Sequence, residues 1–292
     1  MIYVVLLNWN GFEDTKECIA SLLKNSSDIE IVVVDNGSDN YEGKRLKEEF
    51  SSLHLIVNSE NQGFARGVNQ GIQYALNQQN CEYIFLLNND TRVQNQETIP
   101  GLVHQCQHVG DRVLCSPVIL YKNSHKIQNV GGKVSLYVGG SISLAKGREY
   151  TENFSPEKPD YLSGCAIFGR ADLFRELEGM YEGYFAYFED VEFSLSAKRR
   201  GVLLSVVPHI TIEHAHSAST SSKTYIKEYL LLRNSIIFAR RNLSGVKRYF
   251  FILNSILVRV LLGLTRRRFL GLSRLYLGIK DGFSESLSLN RL

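Results

Sequence analysis

Over the first third of the chain, apolar residues fall in short unbroken runs. Residues 2–7, 31–35, 53–57 and 83–87 are almost wholly apolar and rich in β-branched or aromatic side chains. Runs of this kind, without alternation, describe strands covered on both faces, as in a parallel sheet. Between them, residues 15–24, 41–50 and 64–79 place apolar positions at helical spacing. The strand–helix alternation predicts an open α/β sheet with right-handed crossovers. Residues 111–162 are richer in Gly, with strand-like pieces at 130–134 and 136–142. They are expected to extend the sheet and wall one side of a cleft. Residues 163–216 return to α/β texture, and the chain reads as helical from about residue 224.

Polar residues gather where the apolar runs stop: Asn8-Trp9-Asn10, Asp35-Asn36-Gly37-Ser38-Asp39 and Asn88-Asn89-Asp90. Turn chemistry accounts for any one of these clusters. Ligands of open α/β sheets bind beyond the carboxyl ends of the strands, so three such clusters predict one shared crevice.

The chain has 292 residues, of which 44% are hydrophobic. That suffices for a sizeable core and excludes disordered and collagen-like classes. The formal net charge of +3 is a cancellation. Residues 233–292 hold 12 Lys and Arg against Asp281 and Glu285, a net +10, and the remaining residues sum to −7. Five scattered cysteines, none in a CxxC pair, indicate reduced thiols in a cytosolic protein rather than a disulfide framework or zinc knuckle. The first seven residues lack a basic leader and a cleavage site, and read as a buried strand instead of a signal peptide.

Asp90 sits at the end of a buried strand, where a hard cation such as Mg²⁺ or Mn²⁺ finds carboxylate oxygen, with Asn88 on the ribose or phosphate side. In the stretch from Asn61 to Asn69, Gly63 and Gly67 allow close backbone approach at a helix start. Arg66 adds a cation there, and Asn61 and Asn69 add amides. Neither GxGxxG nor GxxxxGK[ST] is present, which counts against a nicotinamide dehydrogenase or a P-loop ATPase. Glu189, Asp190 and Glu192 crowd another helix start among Tyr184, Phe185, Tyr187 and Phe188. They read either as a solvated cap or as a general base near an acceptor hydroxyl. His214 and His216 stand without a third His or a Cys, so one of them could complete the Asp90 metal site, with His216 read as a surface histidine.

Together these motifs resemble the family 2 glycosyltransferases of the GT-A fold, in the rhamnosyltransferase-like branch of bacterial polysaccharide assembly. The resemblance spans about residues 1–240. It takes in the clusters above together with Ser163-Gly164-Cys165-Ala166, Tyr187 to Glu192, His214 with Ser217-Ala218-Ser219, and Tyr229 with Arg233-Asn234. It implies a mostly parallel mixed sheet flanked by helices over residues 1–222, and a basic amphipathic helical region over 223–292. It implies that Asp35, with backbone near Leu7 and Asn8, holds the nucleotide base of a sugar donor, with Asn10 also in the donor site. Asn61, Gly63, Arg66 and Asn69 would line the nucleotide and diphosphate, with Asn88, Asn89 and Gly164 completing the donor site. Asp90 and His214 would hold a divalent metal, Mg²⁺ or Mn²⁺. Asn88 stands where the stricter pattern has Asp. Asp190, with Glu189 beside it, would be the catalytic base of an inverting transfer.

The expected donor is dTDP-rhamnose, and the acceptor a lipid-linked glycan such as an O-antigen precursor. The rivals are an inactive nucleotide-sugar-binding scaffold and a sugar nucleotidyltransferase. The most apolar late stretch, 249–264, is short and interrupted by Asn254, Ser255 and Arg259, which disfavours a membrane span. The basic tail suits an anionic membrane surface, placing the protein in the cytoplasm at the inner face of the plasma membrane. Helix packing or dimerisation into a homo-oligomer is its alternative use. No nucleic-acid motif accompanies the charge, and no nucleic-acid partner is expected.

Overall fold

The computed structural model describes residues 1–215, 224–265 and 271–289. His216, the Ser217-Ala218-Ser219 motif and Arg266-Arg267-Arg268 lie outside the described residues. The early apolar runs form β1 (Ile2–Asn8), β2 (Ile29–Asp35), β3 (His54–Val57) and β4 (Tyr83–Asn88), all parallel. Between them lie α1 (Phe12–Asn25), α2 (Glu42–Glu49) and α3 (Phe64–Leu76). Alternate residues of one strand enter opposite cores. Val4, Leu6 and Val33 pack on one face, and Tyr3, Val5 and Val32 on the other. Burial on both faces is why these strands read as continuous apolar runs.

The chain continues through β5 (Thr91–Val93), α4 (Thr98–Val109), β6 (Val113–Tyr121), β7 (Ile127–Asn129), β8 (Gly132–Ser135) and β9 (Gly140–Ser143). Then come β10 (Ala166–Arg170), α5 (Ala171–Leu177), α6 (Glu189–Arg199) and β11 (Leu203–His214). The main sheet runs β3-β2-β1-β4-β10-β6-β11-β5, with β10 antiparallel to both neighbours and β11 parallel to β6. The sheet is therefore mixed.

The middle segment departs from its expected part in two respects. β6 and β7 join the sheet, but β8 and β9 form a separate hairpin. The stretch 136–142, expected as one strand, contains the hairpin turn, because Gly139 turns there with φ +55°. A side chain at Gly139 would meet the backbone of Phe251 and Ser255, so the turn lies directly on a C-terminal helix.

The last helices are α7 (Thr224–Asn242), α8 (Gly245–Thr265) and α9 (Gly271–Ser284). Leu232, Ile236, Phe238, Phe251 and Ile252 share a third core with Tyr161, Tyr184, Phe188 and Val191. Among the described residues, no helix is long and apolar enough to cross a membrane.

Candidate active site

The parallel register aligns the strand ends: Asn8 pairs with Asp35, and Leu7 with Asn88. Beyond them opens a cleft of about 390 Å³. Of the expected residues, Leu7, Asn61, Gly63, Asn88, Asn89, Asp90, Gly164, Glu189, Asp190 and His214 line it.

Five expected residues do not line it. Asn8 is buried, donating from Nδ2 to Ser38 Oγ and Glu42 Oε2 at 3.0 Å each. Asp35 is also buried, and its two oxygens accept from the backbone N–H groups of Ser38 and Gly43 at 3.1 and 2.9 Å. Asn10 caps the same loop by accepting from the Asp39 N–H at 2.8 Å. Arg66 faces Glu182 at 3.5 Å, and Asn69 bonds both the N–H and the carbonyl of Met180 at 2.8 Å. These groups shape the loops that bound the cleft. The middle segment, expected as a wall, contributes no residue to the cleft lining, but supports His214 from behind through Gln128 and the Lys122 N–H.

Asp90 is fixed by the turn after β4, where its carbonyl accepts from the Ala215 N–H at 2.9 Å. The end of β11 brings His214 Nε2 to 2.8 Å from Asp90 Oδ1, with Asn88 Nδ2 3.4 Å from the same nitrogen. His214 Nδ1 bonds the carbonyl oxygen of the Gln128 amide, which fixes its proton and points Nε2 into the cleft. Burial alone would lower the imidazole pKa. Cys165 and Asp90 overcome it and raise the pKa to about 11. Once a cation displaces the Nε2 proton, this carboxylate oxygen and oriented imidazole nitrogen, 2.8 Å apart, suit a divalent ion that takes its remaining ligands from diphosphate and water. Among the described residues, no group of three His, Cys, Asp or Glu side chains forms a cation site by itself.

Glu189 and Asp190, at the start of α6, line the same cleft. Asp190 Oδ2 accepts from the Gly164 N–H at 3.0 Å and Oδ1 from the Val191 N–H at 2.8 Å. Burial raises the Asp190 carboxyl above its ordinary value, while these two N–H donors oppose the shift. Glu189 rises much further through burial and then the charge of Asp190, and its buried Oε2 has no hydrogen-bond partner. Donated N–H bonds favour a carboxylate and their absence favours the acid. The charged form is therefore favoured at Asp190 over Glu189.

This division carries a stability signature. A buried acid with a raised pKa stabilises the fold at low pH. That stability is lost as pH rises from the unfolded value, about 4.3, towards the folded one. Glu189→Gln keeps the neutral form and removes the titration. Its melting temperature relative to wild type should climb between pH 4 and pH 8, as read by differential scanning fluorimetry. A difference that stays constant across that range would mean Glu189 is ionised in the fold.

The cleft is also lined by Trp9, Asn36, Phe64, Ser163, Cys165, Phe185 and Tyr187, which fall within the sequence motifs without a role of their own, and by Ala186 and Lys227, which no motif marks. Trp9 is 41% exposed, an unusual placement for the chain's one tryptophan and a flat face for a ring to stack on. Lys227 enters from α7, with its ammonium 5.7 Å from the Tyr187 ring centre. Nothing local to residue 227 signals this placement.

A family model described as glycosyl transferase family 2 matches residues 3–177. The low-salt glycan biosynthesis hexosyltransferase Agl10 of Haloferax volcanii is 26% identical over 80% of this chain and 74% of its own length. The dTDP-rhamnosyl transferase RfbF of Shigella flexneri is 24% identical over 82% of this chain and 80% of its own. Among solved structures, the mannosyltransferase PcManGT from Pyrobaculum calidifontis, in complex with GDP-Man and Mn²⁺, superposes with a TM-score of 0.60 at 12% identity. The match covers 98% of this chain and 88% of that one. The fold is GT-A.

Proposed function

We propose that this chain, which belongs to glycosyl transferase family 2, moves a sugar from a nucleotide-sugar donor to a hydroxyl of a lipid-linked surface glycan, inverting the anomeric centre. Rhamnose from dTDP-rhamnose is the leading donor, a reading supported by the likeness to RfbF. One observation carries the proposal: a single cleft is lined by both the Asp190 carboxylate and the Asp90–His214 pair. Binding alone would need no carboxylate held in the cleft by two N–H donors, which disfavours an inactive scaffold.

In this reading Asp190 accepts the proton of the acceptor hydroxyl as that oxygen attacks the anomeric carbon. The bond to the nucleoside diphosphate breaks on the opposite face, and Asp190 later returns its proton to water. Asp90 and His214 would hold a Mg²⁺ or Mn²⁺, which supplies Lewis acidity toward the diphosphate when bound. Lys227 presents a further cation to the leaving group. Trp9, at the rim, offers its face to the nucleotide or sugar ring.

The test is a thermal-shift panel of dTDP-rhamnose, UDP-sugars and GDP-sugars with Mn²⁺, followed by product analysis. A donor present at about 100 times its dissociation constant adds about 2.7 kcal/mol of stability. Stabilisation by dTDP-rhamnose and release of dTDP is the expected result. No shift from any donor refutes the reading, and pyrophosphate release would favour a nucleotidyltransferase.

The acceptor side calls for a location at the inner face of the plasma membrane, and α8 suits that role. Val246, Tyr249, Leu253, Leu257 and Leu261 are exposed along its outer side, with Tyr137 of the hairpin against Phe250. Phe251, Ile252 and Ser255 face inward. Residues 229–280 hold eleven Lys and Arg and no Asp or Glu. A second copy would bring like charges together, whereas an anionic bilayer attracts them, at about 1 kcal/mol per cation near the surface. The protein should sediment with phosphatidylglycerol vesicles and not with phosphatidylcholine vesicles. Leu253→Glu with Leu257→Glu should release it. Equal binding by the variant would remove α8 from the contact.

A further inference from the structure

Asp190 stands directly after a stretch of backbone that is costly to hold. Phe185, Tyr187 and Phe188 have φ of +65°, +70° and +78°. Non-glycine residues in this region are strained and persist only where their surroundings fix them. Two elements do so here. From the cleft side, the Phe64 N–H at the start of α3 donates to the Phe185 carbonyl at 2.5 Å. Gly63 permits that approach, since a side chain there would lie 2.6 Å from the same oxygen. From behind, Asn234 of α7 directs Nδ2 at the carbonyls of Tyr184, Ala186 and Tyr187, at 2.9, 2.7 and 2.8 Å.

The amide has two hydrogens for these three acceptors, so one bond is shared. Its orientation is fixed by Arg233, whose Nη1 donates to Asn234 Oδ1 at 2.7 Å and to the Gly183 carbonyl at 2.9 Å. Arg233 in turn donates through Nε to the Ser286 carbonyl at 2.5 Å and through Nη2 to the Glu285 carbonyl at 3.1 Å. Both side chains are fully buried. Asn234 contributes nothing to the cleft lining, yet each of its acceptors belongs to the loop that delivers Asp190.

We propose that Asn234 is a positioning residue for Asp190, its carboxamide holding the loop at residues 184–188 in the conformation that aims the Asp190 carboxylate at the acceptor. The proposal rests on Asp190 being the base. Displacement of a reacting group by about 1 Å costs on the order of 100-fold in rate, with little consequence for groups bound elsewhere. The strand ends of β1 and β4, which carry Leu7, Asn88 and Asn89 of the proposed donor site, make no hydrogen bond to Asn234 or Arg233.

The test compares Asn234→Ala and Asn234→Ser with wild type. Three quantities are measured: kcat and donor KM, the calorimetric dissociation constants of dTDP and UDP with Mn²⁺, and deuterium exchange of the peptide covering 183–190. In Asn234→Ala, kcat should fall about 100-fold while KM and nucleotide affinity stay within about threefold. Exchange over 183–190 should rise while β1 and β4 are unchanged. Asn234→Ser, which keeps one donor, should fall between. A kcat within about threefold of wild type, or unchanged exchange in the loop, overturns the proposal. So does a parallel loss of nucleotide binding, or loss of folding in both variants, since either makes Asn234 a general core residue. Should wild type prove inert with every donor, the base assignment fails, and loop exchange alone decides whether Asn234 holds the segment.

Discussion

Asp190→Asn should lower transfer by about 10³-fold, within the range that a general base contributes, while dTDP or UDP still binds. In barrier terms that is about 4 kcal/mol. The substitution keeps the shape of the side chain but removes the proton acceptor. It also sets an amide –NH₂ against the N–H of either Gly164 or Val191, both of which donate to the carboxylate at 3.0 and 2.8 Å. The fold should tolerate this, because a buried charge beside Glu189 disappears at the same time. A pH profile sharpens the expectation. Burial raises the Asp190 carboxyl, so wild-type kcat/KM should fall with decreasing pH at a value above the usual one near 3.9. The residual rate of Asp190→Asn should show no such limb. A variant within tenfold of wild-type kcat would remove Asp190 from the chemistry.

Asp90→Ala should be comparably damaging, through a different step. Loss of Lewis-acid stabilisation on the departing diphosphate is worth several kcal/mol, or roughly 10³-fold. The diagnostic is a change in metal dependence. Wild-type dTDP affinity should fall when EDTA removes Mn²⁺, whereas the affinity of Asp90→Ala should be low and indifferent to EDTA. In the fold Asp90 sits 2.8 Å from His214 Nε2, so the variant also leaves the imidazole facing the cleft without its carboxylate. Full activity of Asp90→Ala, or unaltered EDTA sensitivity, would place the cation elsewhere or nowhere.

These two positions were legible in the sequence for different reasons. Asp90 follows an apolar run that can only be a buried strand, and the strand end fixes where the carboxylate emerges. Asp190 was marked by acidic residues among aromatics, a pattern that did not separate a cap from a base. What favours the base is an N–H from Gly164, 26 residues earlier, which no local pattern announces. Asp35 and Asn8 show the reverse. Their strand-end placement was readable, but not that their side chains turn back onto Ser38, Glu42 and Gly43. Polar groups at a strand end either face a ligand or satisfy their own loop, and periodicity does not distinguish the two. Lys227 was unreadable because α7 alone brings it to a cleft built mostly from residues before 191. The hairpin of β8 and β9 was misplaced because its short strands have no apolar run of their own.

The Arg233 clamp has a consequence in time. The acceptors for Nε and Nη2, Ser286 and Glu285, lie more than fifty residues after the arginine. At about 5–20 residues per second, synthesis reaches them some 3–10 seconds after Arg233 itself is made. The sheet and its nucleotide-facing strand ends can form during that interval, since their contacts are complete by β11. The loop carrying Asp190 cannot be locked until α9 has arrived. A nascent chain in this interval would be able to bind a sugar nucleotide before it could transfer the sugar.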